Sequence, residues 1–161
     1  MKIDFILNGE DVTVETNANF RLIDILRNKF NLTGSKENCL SGRCGVCAVM
    51  LNGKVVPSCM IPVFKVKGKE IITIEGFSKT VEYGDIIKGF NNAGVKTCGY
   101  CDAAKILLAE TLLNSGLQPE RSEITSAING VICRCTNREV YIEGVLAAFD
   151  VRQRRMYGRI A

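Results

Sequence analysis

Eight cysteines fall into two groups of four, and no cysteine is left over. The first group has the spacing C-x4-C-x2-C, with a fourth cysteine after eleven more residues. The second group is a C-x2-C pair and a C-x-C pair, separated by thirty-one residues. The groups are Cys39, Cys44, Cys47 and Cys59, and Cys98, Cys101, Cys133 and Cys135. Thiolates are soft metal ligands, so each group is a candidate metal site.

The spacing of the first group is that of a plant-type [2Fe–2S] site. Gly42 and Gly45 lie between its members, where they allow the backbone to approach closely and to aim N–H groups at sulfur. Structural zinc usually takes two C-x2-C pairs, which this group lacks. A disulfide framework conflicts with the lack of a signal sequence, and unconnected buried cysteines would not be expected at these spacings.

The second group is less specific when taken alone, because C-x2-C with a distant C-x-C could also hold zinc. The C-x2-C pair stands at the start of one predicted helix, and the C-x-C pair stands between two others. Helix N-termini stabilise anionic thiolates. That placement suits either zinc or an iron–sulfur cluster, and the residues alone leave both open.

The first half of the chain reads as a small mixed sheet that clasps one helix. Asn8-Gly9 and Asn52-Gly53 each separate two short β-type runs, a strong hairpin signal since both residue types accept positive φ. The predicted strands are residues 3–7, 12–15, 48–51, 54–56 and 71–74. Leu22 to Phe30 has helical spacing, with Asn19 as the expected N-cap. The segment from Cys39 to Cys47 is predicted to be a loop.

The second half, from about residue 82, reads as four helices. The first contains Ile86, Ile87 and Phe90, and the second spans residues 103–114 with Gly116 as a C-cap. The third opens at Pro119, a residue tolerated at the first helical position, and the fourth spans about 139–156. Four helices in this length predict a compact bundle.

Composition excludes several classes of function. The 161 residues are 47% apolar, enough for one ordinary domain or two small ones. The formal charge of +4 omits the thiolates, and no nucleic-acid motif accompanies it, so nucleic-acid binding is not expected. No histidine, G-x-G-x-x-G or P-loop is present, which excludes Rieske ligation and an evident nucleotide site.

The sequence also predicts the cellular compartment of the protein. No run approaches eighteen apolar residues, so no membrane span is predicted. The first residues turn polar too quickly for a signal peptide. A cysteine-rich chain of this kind is expected in a reducing compartment, and the cytoplasm is the default.

Four arginines crowd the C-terminal end: Arg152, Arg154, Arg155 and Arg159. The plain interpretation is a solvated helix end whose cations suit the helix dipole. A docking tail for a partner subunit is the sharper interpretation.

The order of these parts resembles the iron–sulfur subunit of the molybdenum hydroxylases, the family of xanthine dehydrogenase, aldehyde oxidoreductase and carbon monoxide dehydrogenase. The resemblance covers the chain to about residue 150. The matching stretches are Lys36-Glu37, Gly42-Arg43-Cys44-Gly45-Val46-Cys47, Ser58-Cys59, Thr73-Ile74-Glu75-Gly76, Cys98-Gly99-Tyr100-Cys101 and Cys133-Arg134-Cys135-Thr136.

The resemblance implies an α+β fold with an N-terminal β-grasp, plant ferredoxin-like domain (residues 1–78) and a C-terminal four-helix bundle (residues 79–161). Each domain would bind one [2Fe–2S] cluster through its four cysteines. In the family the second cluster lies nearer a molybdenum pterin and the first nearer a flavin. A molybdenum-binding large subunit and a FAD-binding subunit are therefore the expected partners, and the substrate site belongs to a partner.

The chain departs from the family pattern around the second group. Thr97 replaces a usual Gln, Asp102-Ala103-Ala104-Lys105 replaces Thr-Pro-Gly-Met, Gly130-Val131-Ile132 replaces Gly-Asn-Leu, and Asn137-Arg138 replaces Gly-Tyr. Losing the Gln would remove one hydrogen bond to the pterin, worth about 0.5–1.5 kcal/mol. That change would weaken docking without abolishing it.

The sequence therefore predicts the electron-transfer part of an oxidoreductase, relaying single electrons from a molybdenum site to flavin or another acceptor. Two different functions stay open at this point: a stand-alone two-cluster ferredoxin and a zinc-stabilised interaction module.

Overall fold

A computed structural model describes residues 1–158 as an α+β fold. Five strands come first: β1 Lys2–Leu7, β2 Glu10–Glu15, β3 Ala48–Leu51, β4 Lys54–Pro57 and β5 Glu70–Ile72. The helices are α1 Leu22–Asn28, α2 Ile74–Phe77, α3 Val81–Asn92, α4 Asp102–Leu113, α5 Arg121–Ile128 and α6 Arg138–Tyr157. Two 3₁₀ turns, Ser58–Met60 and Val63–Val66, connect β4 to β5. None of the described helices is long and apolar enough to cross a membrane.

The strands form one mixed sheet in the order β2-β1-β5-β3-β4. β1 pairs antiparallel with β2 and parallel with β5, while β3 pairs antiparallel with β4 and β5. Both predicted Asn-Gly hairpins are confirmed: Asn8 and Asn52 have φ of 53° and 47°, and a glycine with positive φ follows each. The cysteine segment between α1 and β3 is a loop, as predicted.

Strand β3 is buried on both faces. Val49 points to one core with β1 and α1, where Ile3, Leu22 and Leu26 are fully buried. Ala48 and Met50 point to the opposite core, which they share with residues of α3 to α6. This alternation explains why β3 is continuously apolar, whereas β1 alternates between buried and exposed residues.

The second half is helical from α3 onward, as predicted. Helix α3 packs closely on α6: a Cβ added to Gly89 would lie 2.3 Å from the backbone nitrogen of Ala148. Phe90 and Tyr141 make an edge-to-face contact between the same two helices, with ring centroids 5.6 Å apart. The core that β3 joins is therefore formed mainly by these helices.

Several predicted element boundaries were wrong. Arg21, and not Asn19, is the N-cap of α1, and Glu120 is the N-cap of α5, so Pro119 precedes that helix. In each helix, the carboxylate three residues after the N-cap accepts a hydrogen bond from the N-cap backbone N–H. These carboxylates, Asp24 in α1 and Glu123 in α5, fix where the helices begin.

Two further boundaries differ. The last strand ends at Ile72, and Ile74 opens the short α2, since Thr73 is drawn aside by hydrogen bonds with the Asn8 side chain. Helix α4 has Asn114 as its C-cap, and Gly116, which has φ of 73°, lies two residues beyond.

One of the C-terminal arginines belongs to the interior, so the interpretation of the cluster as a solvated helix end is wrong for Arg152. Arg152 is 6% exposed and pairs with the buried carboxylates of Glu110 and Asp85. Arg155 is exposed but donates three hydrogen bonds to the buried Asp85 carboxylate, at 2.8–3.0 Å. Arg154 is exposed, and Arg159 lies outside the described residues. The arginines of α6 therefore tie this helix to α3 and α4.

Candidate metal centres

The first cysteine group lies where the loop after α1 meets β3 and the turn after β4. Cys44 and Cys47 end the loop, and Cys59 lies in the first 3₁₀ turn. These three are buried, whereas Cys39 is half-buried. The side chains of Cys47 and Cys59 pack with Ile23 of α1, so the helix backs the site.

The loop directs backbone N–H groups at the sulfur of Cys39. Ser41, Arg43 and Cys44 donate to this Sγ at 3.5, 3.3 and 3.3 Å. The donors at Ser41 and then Cys44 lower the pKa of the Cys39 thiol from 9.0 to about 6. A loop that stabilises a thiolate in this way is suited to bind a metal, because the thiolate is the ligand form.

The remaining thiols of the first group form a pair. Cys47 and Cys59 hydrogen-bond through their side chains, and burial followed by this contact raises the pKa of Cys59 to about 11. Cys39 contacts Cys44 in the same manner. The first group is thus arranged as two pairs of thiols, with Cys39 close enough to Cys59 for their charges to interact.

The second group has the same pairwise arrangement, although its members come from distant segments. Cys101 is the N-cap of α4, and Cys133 lies in the loop between α5 and α6. Burial, followed by a hydrogen bond with Cys133, raises the pKa of Cys101 to about 11. Cys98 and Cys135 form the other pair, and their contact raises the pKa of Cys135. Cys98 and Cys135 are exposed, so this site opens to the surface.

A buried lysine beside the second group was not identified as a site residue from the sequence. Lys105 follows Cys101 by one helical turn and is 1% exposed. Burial acts to raise the pKa of Cys133, but hydrogen bonds from the Lys105 ammonium and from the backbone N–H groups of Thr136 and Cys135 outweigh it and lower this pKa to about 6. A lysine four residues after a cysteine, in a helix otherwise apolar on that side, is the signal that could have revealed it.

The two groups are joined by a backbone contact. The N–H of Ile132 donates to the C=O of Cys44 at 3.0 Å, one residue before Cys133. Gly45 makes this approach possible, since a Cβ added there would lie 2.1 Å from the carbonyl oxygen of Gly130. A second link is the Tyr100 hydroxyl, which donates to the Glu37 carbonyl at 3.2 Å.

The donors of both groups are thiols. Among residues 1–158, no three His, Cys, Asp or Glu side chains are arranged to hold a single metal ion. A [2Fe–2S] cluster takes two thiolates on each of its two irons. Each group contains two pairs of thiols, which is the number of ligands that the two irons of one cluster require.

Comparison with known families matches both halves of the chain. Residues 73–146 match the model described as "[2Fe-2S] binding domain". Residues 10–93 match the model described as "2Fe-2S iron-sulfur cluster binding domain". The match to the second model spans more than half of the chain.

Individual relatives agree with these models. The nicotinate dehydrogenase small FeS subunit of Eubacterium barkeri is 40% identical over 134 residues, covering 83% of this chain and 85% of the relative. The structure of quinoline 2-oxidoreductase from Pseudomonas putida 86 superposes with a TM-score of 0.84 at 29% identity, covering 95% of this chain and 96% of that one. Aldehyde oxidoreductase from Desulfovibrio gigas has the same TM-score at 28% identity, but this chain spans only 18% of its length.

The relatives are therefore either small separate subunits or segments of longer oxidoreductases. The chain belongs to the iron–sulfur subunits of the molybdenum hydroxylase family, and it is the electron-transfer part of an oxidoreductase.

Proposed function

We propose that the chain binds two [2Fe–2S] clusters and conducts single electrons from the molybdenum pterin of a partner subunit to a flavin or another acceptor. Cys39, Cys44, Cys47 and Cys59 hold the first cluster, and Cys98, Cys101, Cys133 and Cys135 hold the second. When bound, each cluster supplies a centre that takes up and releases one electron at a time. The observation that carries this proposal is the match of both halves of the chain to [2Fe-2S] binding domains, together with the loop that aims three backbone N–H groups at Cys39 Sγ.

The order of the two sites is supported by their exposure. Cys98 and Cys135 are open to solvent, and the neighbouring side chains of Tyr100 and Ile132 are 45% and 58% exposed. A partner can therefore approach the second site directly, as the molybdenum subunit would have to do. In the proposed relay the second site receives electrons and the first site passes them on.

The contact between the sites supports conduction within the chain. The hydrogen bond from Ile132 to Cys44 joins a residue next to Cys133 with a cysteine of the first group. Covalent bonds and this single hydrogen bond lead from one group to the other. The short link is what a relay of two centres requires.

The finer architecture is part of the proposal. A β-grasp domain over residues 1–78 would carry the first cluster, and a helical bundle over residues 79–161 would carry the second. The five-stranded sheet with α1 on one face supports the first assignment. The packing of α4 with α3, α5 and α6 supports the second.

The proposal is tested by native purification followed by counting of iron, sulfide, zinc and molybdenum per chain. We expect four irons and four sulfides per chain, from two clusters of two each. Co-purification of molybdenum with a larger subunit is expected as well. A colourless chain that contains zinc would overturn the proposal, and an iron-loaded chain that elutes alone would indicate a free ferredoxin.

A pair of variants tests the assignment of ligands. Cys135→Ser should remove one of two reduced-cluster EPR signals and leave the other. Cys59→Ser should remove the signal that Cys135→Ser leaves. Loss of both signals in either variant, with far-UV circular dichroism unchanged, would contradict two separate sites.

A further inference from the structure

Lys105 is a buried cation without a carboxylate partner. Its side chain is 1% exposed, and among residues 1–158 no ion pair within 4.0 Å includes it. Burying an ammonium costs several kcal/mol unless a nearby anion compensates for the lost hydration. The groups beside it that can carry a negative charge are the thiols of Cys101, one helical turn away, and of Cys133, which lines the same cavity. The lysine is therefore compensated by the second cysteine group itself.

Hydrogen bonds hold the ammonium between the two cysteine-bearing segments. Lys105 Nζ donates to Thr136 Oγ1 at 2.6 Å, next to Cys135 in the chain. The Thr136 hydroxyl donates in turn to the Lys96 carbonyl, so its oxygen is left to accept from the lysine. The Lys105 carbonyl accepts from the buried Tyr141 hydroxyl at 2.8 Å, which fixes the helix at this point.

Burial shields this charge from solvent. Lys105 is 1% exposed, and the buried residues Ile128, Val131 and Tyr141 line the same cavity as Lys105 and Cys133. A charge in such a place acts on its neighbours with much less screening than a surface charge.

We propose that Lys105 is a positioning residue that sets the reduction potential of the second cluster. Reduction adds one negative charge to a cluster held by Cys98, Cys101, Cys133 and Cys135, and the fixed ammonium stabilises that charge. The potential of the second cluster is therefore higher than it would be without the lysine, which favours electron uptake from the partner. This inference rests on the proposed function, since it requires the second cluster to be present.

The test is an EPR-monitored redox titration of the full chain with its clusters, or of the complex in which it is isolated. Lys105→Met keeps the length and apolar stem of the side chain and removes the charge. At a fixed ambient potential we expect the ratio of reduced to oxidised second cluster to fall at least tenfold, a downward shift of about 59 mV for a one-electron couple. The first cluster should change by less than twofold.

Two controls separate charge from packing. Lys105→Arg keeps the charge and should hold the reduced-to-oxidised ratio within about threefold of wild type. Arg138→Met removes an exposed cation that lines the same cavity as Lys105, and solvent screening should limit its effect on either cluster to less than twofold. Lys105→Gln, which is neutral but can still donate to Thr136, should reproduce the shift of Lys105→Met.

The outcomes distinguish the two proposals. Wild-type chain without iron overturns the proposed function. Wild-type chain with two clusters, but equal potentials in Lys105→Met and wild type, overturns this inference alone. If Lys105→Met loses the second cluster, the potential is measured on Lys105→Gln. Loss of that cluster in both variants of a folded chain would make Lys105 a residue for cluster retention, contrary to the role proposed here.

Discussion

Replacing Gly45 by alanine tests the close approach between the two cysteine groups. Gly45 has φ of 74°, and a Cβ there would lie 2.1 Å from the carbonyl oxygen of Gly130. An ordinary contact begins at 3.4 Å, so one segment must retreat by about 1.3 Å. The left-handed backbone costs about 1–2 kcal/mol for a residue with a Cβ. The overpacking adds about 1–3 kcal/mol, so we expect a loss of about 2–5 kcal/mol in the free energy of unfolding.

Gly53→Ala is the matched control, because Gly53 has φ of 78° and an added Cβ would have no neighbour within 4 Å. Gly53→Ala should lower the free energy of unfolding only by the cost of the left-handed backbone, about 1–2 kcal/mol. Urea unfolding, followed by circular dichroism, measures the free energy of unfolding of both variants at equal iron content. The same m-value is used for both. Equal losses in the two variants, to within about 0.5 kcal/mol, would refute a tight contact between Gly45 and Gly130.

Three further predictions concern the helical half. Gly89→Ala should destabilise the chain by about 1–3 kcal/mol or more in urea unfolding, because its Cβ would meet the backbone of α6. Gly84→Ala, on the same helix, places its Cβ where no atom lies within 4 Å and should be neutral or stabilising by about 0.5–1 kcal/mol. A similar loss of stability in both variants would contradict the close packing of α3 on α6. Arg152→Met leaves buried carboxylates unpaired and should cost about 3–5 kcal/mol, whereas Arg121→Met, which breaks exposed pairs, should leave the urea midpoint near that of wild type. Burial raises the pKa of Glu110 above 4.5, so the folded chain binds this proton more tightly, and the stability that depends on it falls as pH rises from 4.5 through the folded pKa. The urea midpoint of wild type should therefore fall with pH relative to that of Glu110→Gln, and parallel profiles would contradict this.

Local signals in the sequence were enough to predict most of the elements. Asn8-Gly9 and Asn52-Gly53 determine their own turns because positive φ is a property of those residues. The long helices followed from apolar spacing, and α6 begins at Arg138 with Asn137 as its N-cap. These features depend on neighbours in the sequence, which is why no tertiary knowledge was needed.

Features that depend on distant contacts could not be predicted. Arg152 reads as a surface cation by its position near the C-terminus, yet Glu110 and Asp85 draw it into the interior. The pairing of Cys98 with Cys135 joins segments more than thirty residues apart, and spacing alone gives no such pairing. Lys105 had only its place near a cysteine to suggest a role, since its burial results from α5, α6 and the loop between them packing against α4.

Strand β3, which is covered on both sides, limits how this chain could be divided. A fragment that ended before α3 would present Ala48 and Met50 to water, along with Val46 from the cysteine loop. An apolar surface of that kind promotes aggregation. For an engineer who wants a minimal one-centre electron carrier, the first half would need polar replacements at these three positions before it could be produced by itself.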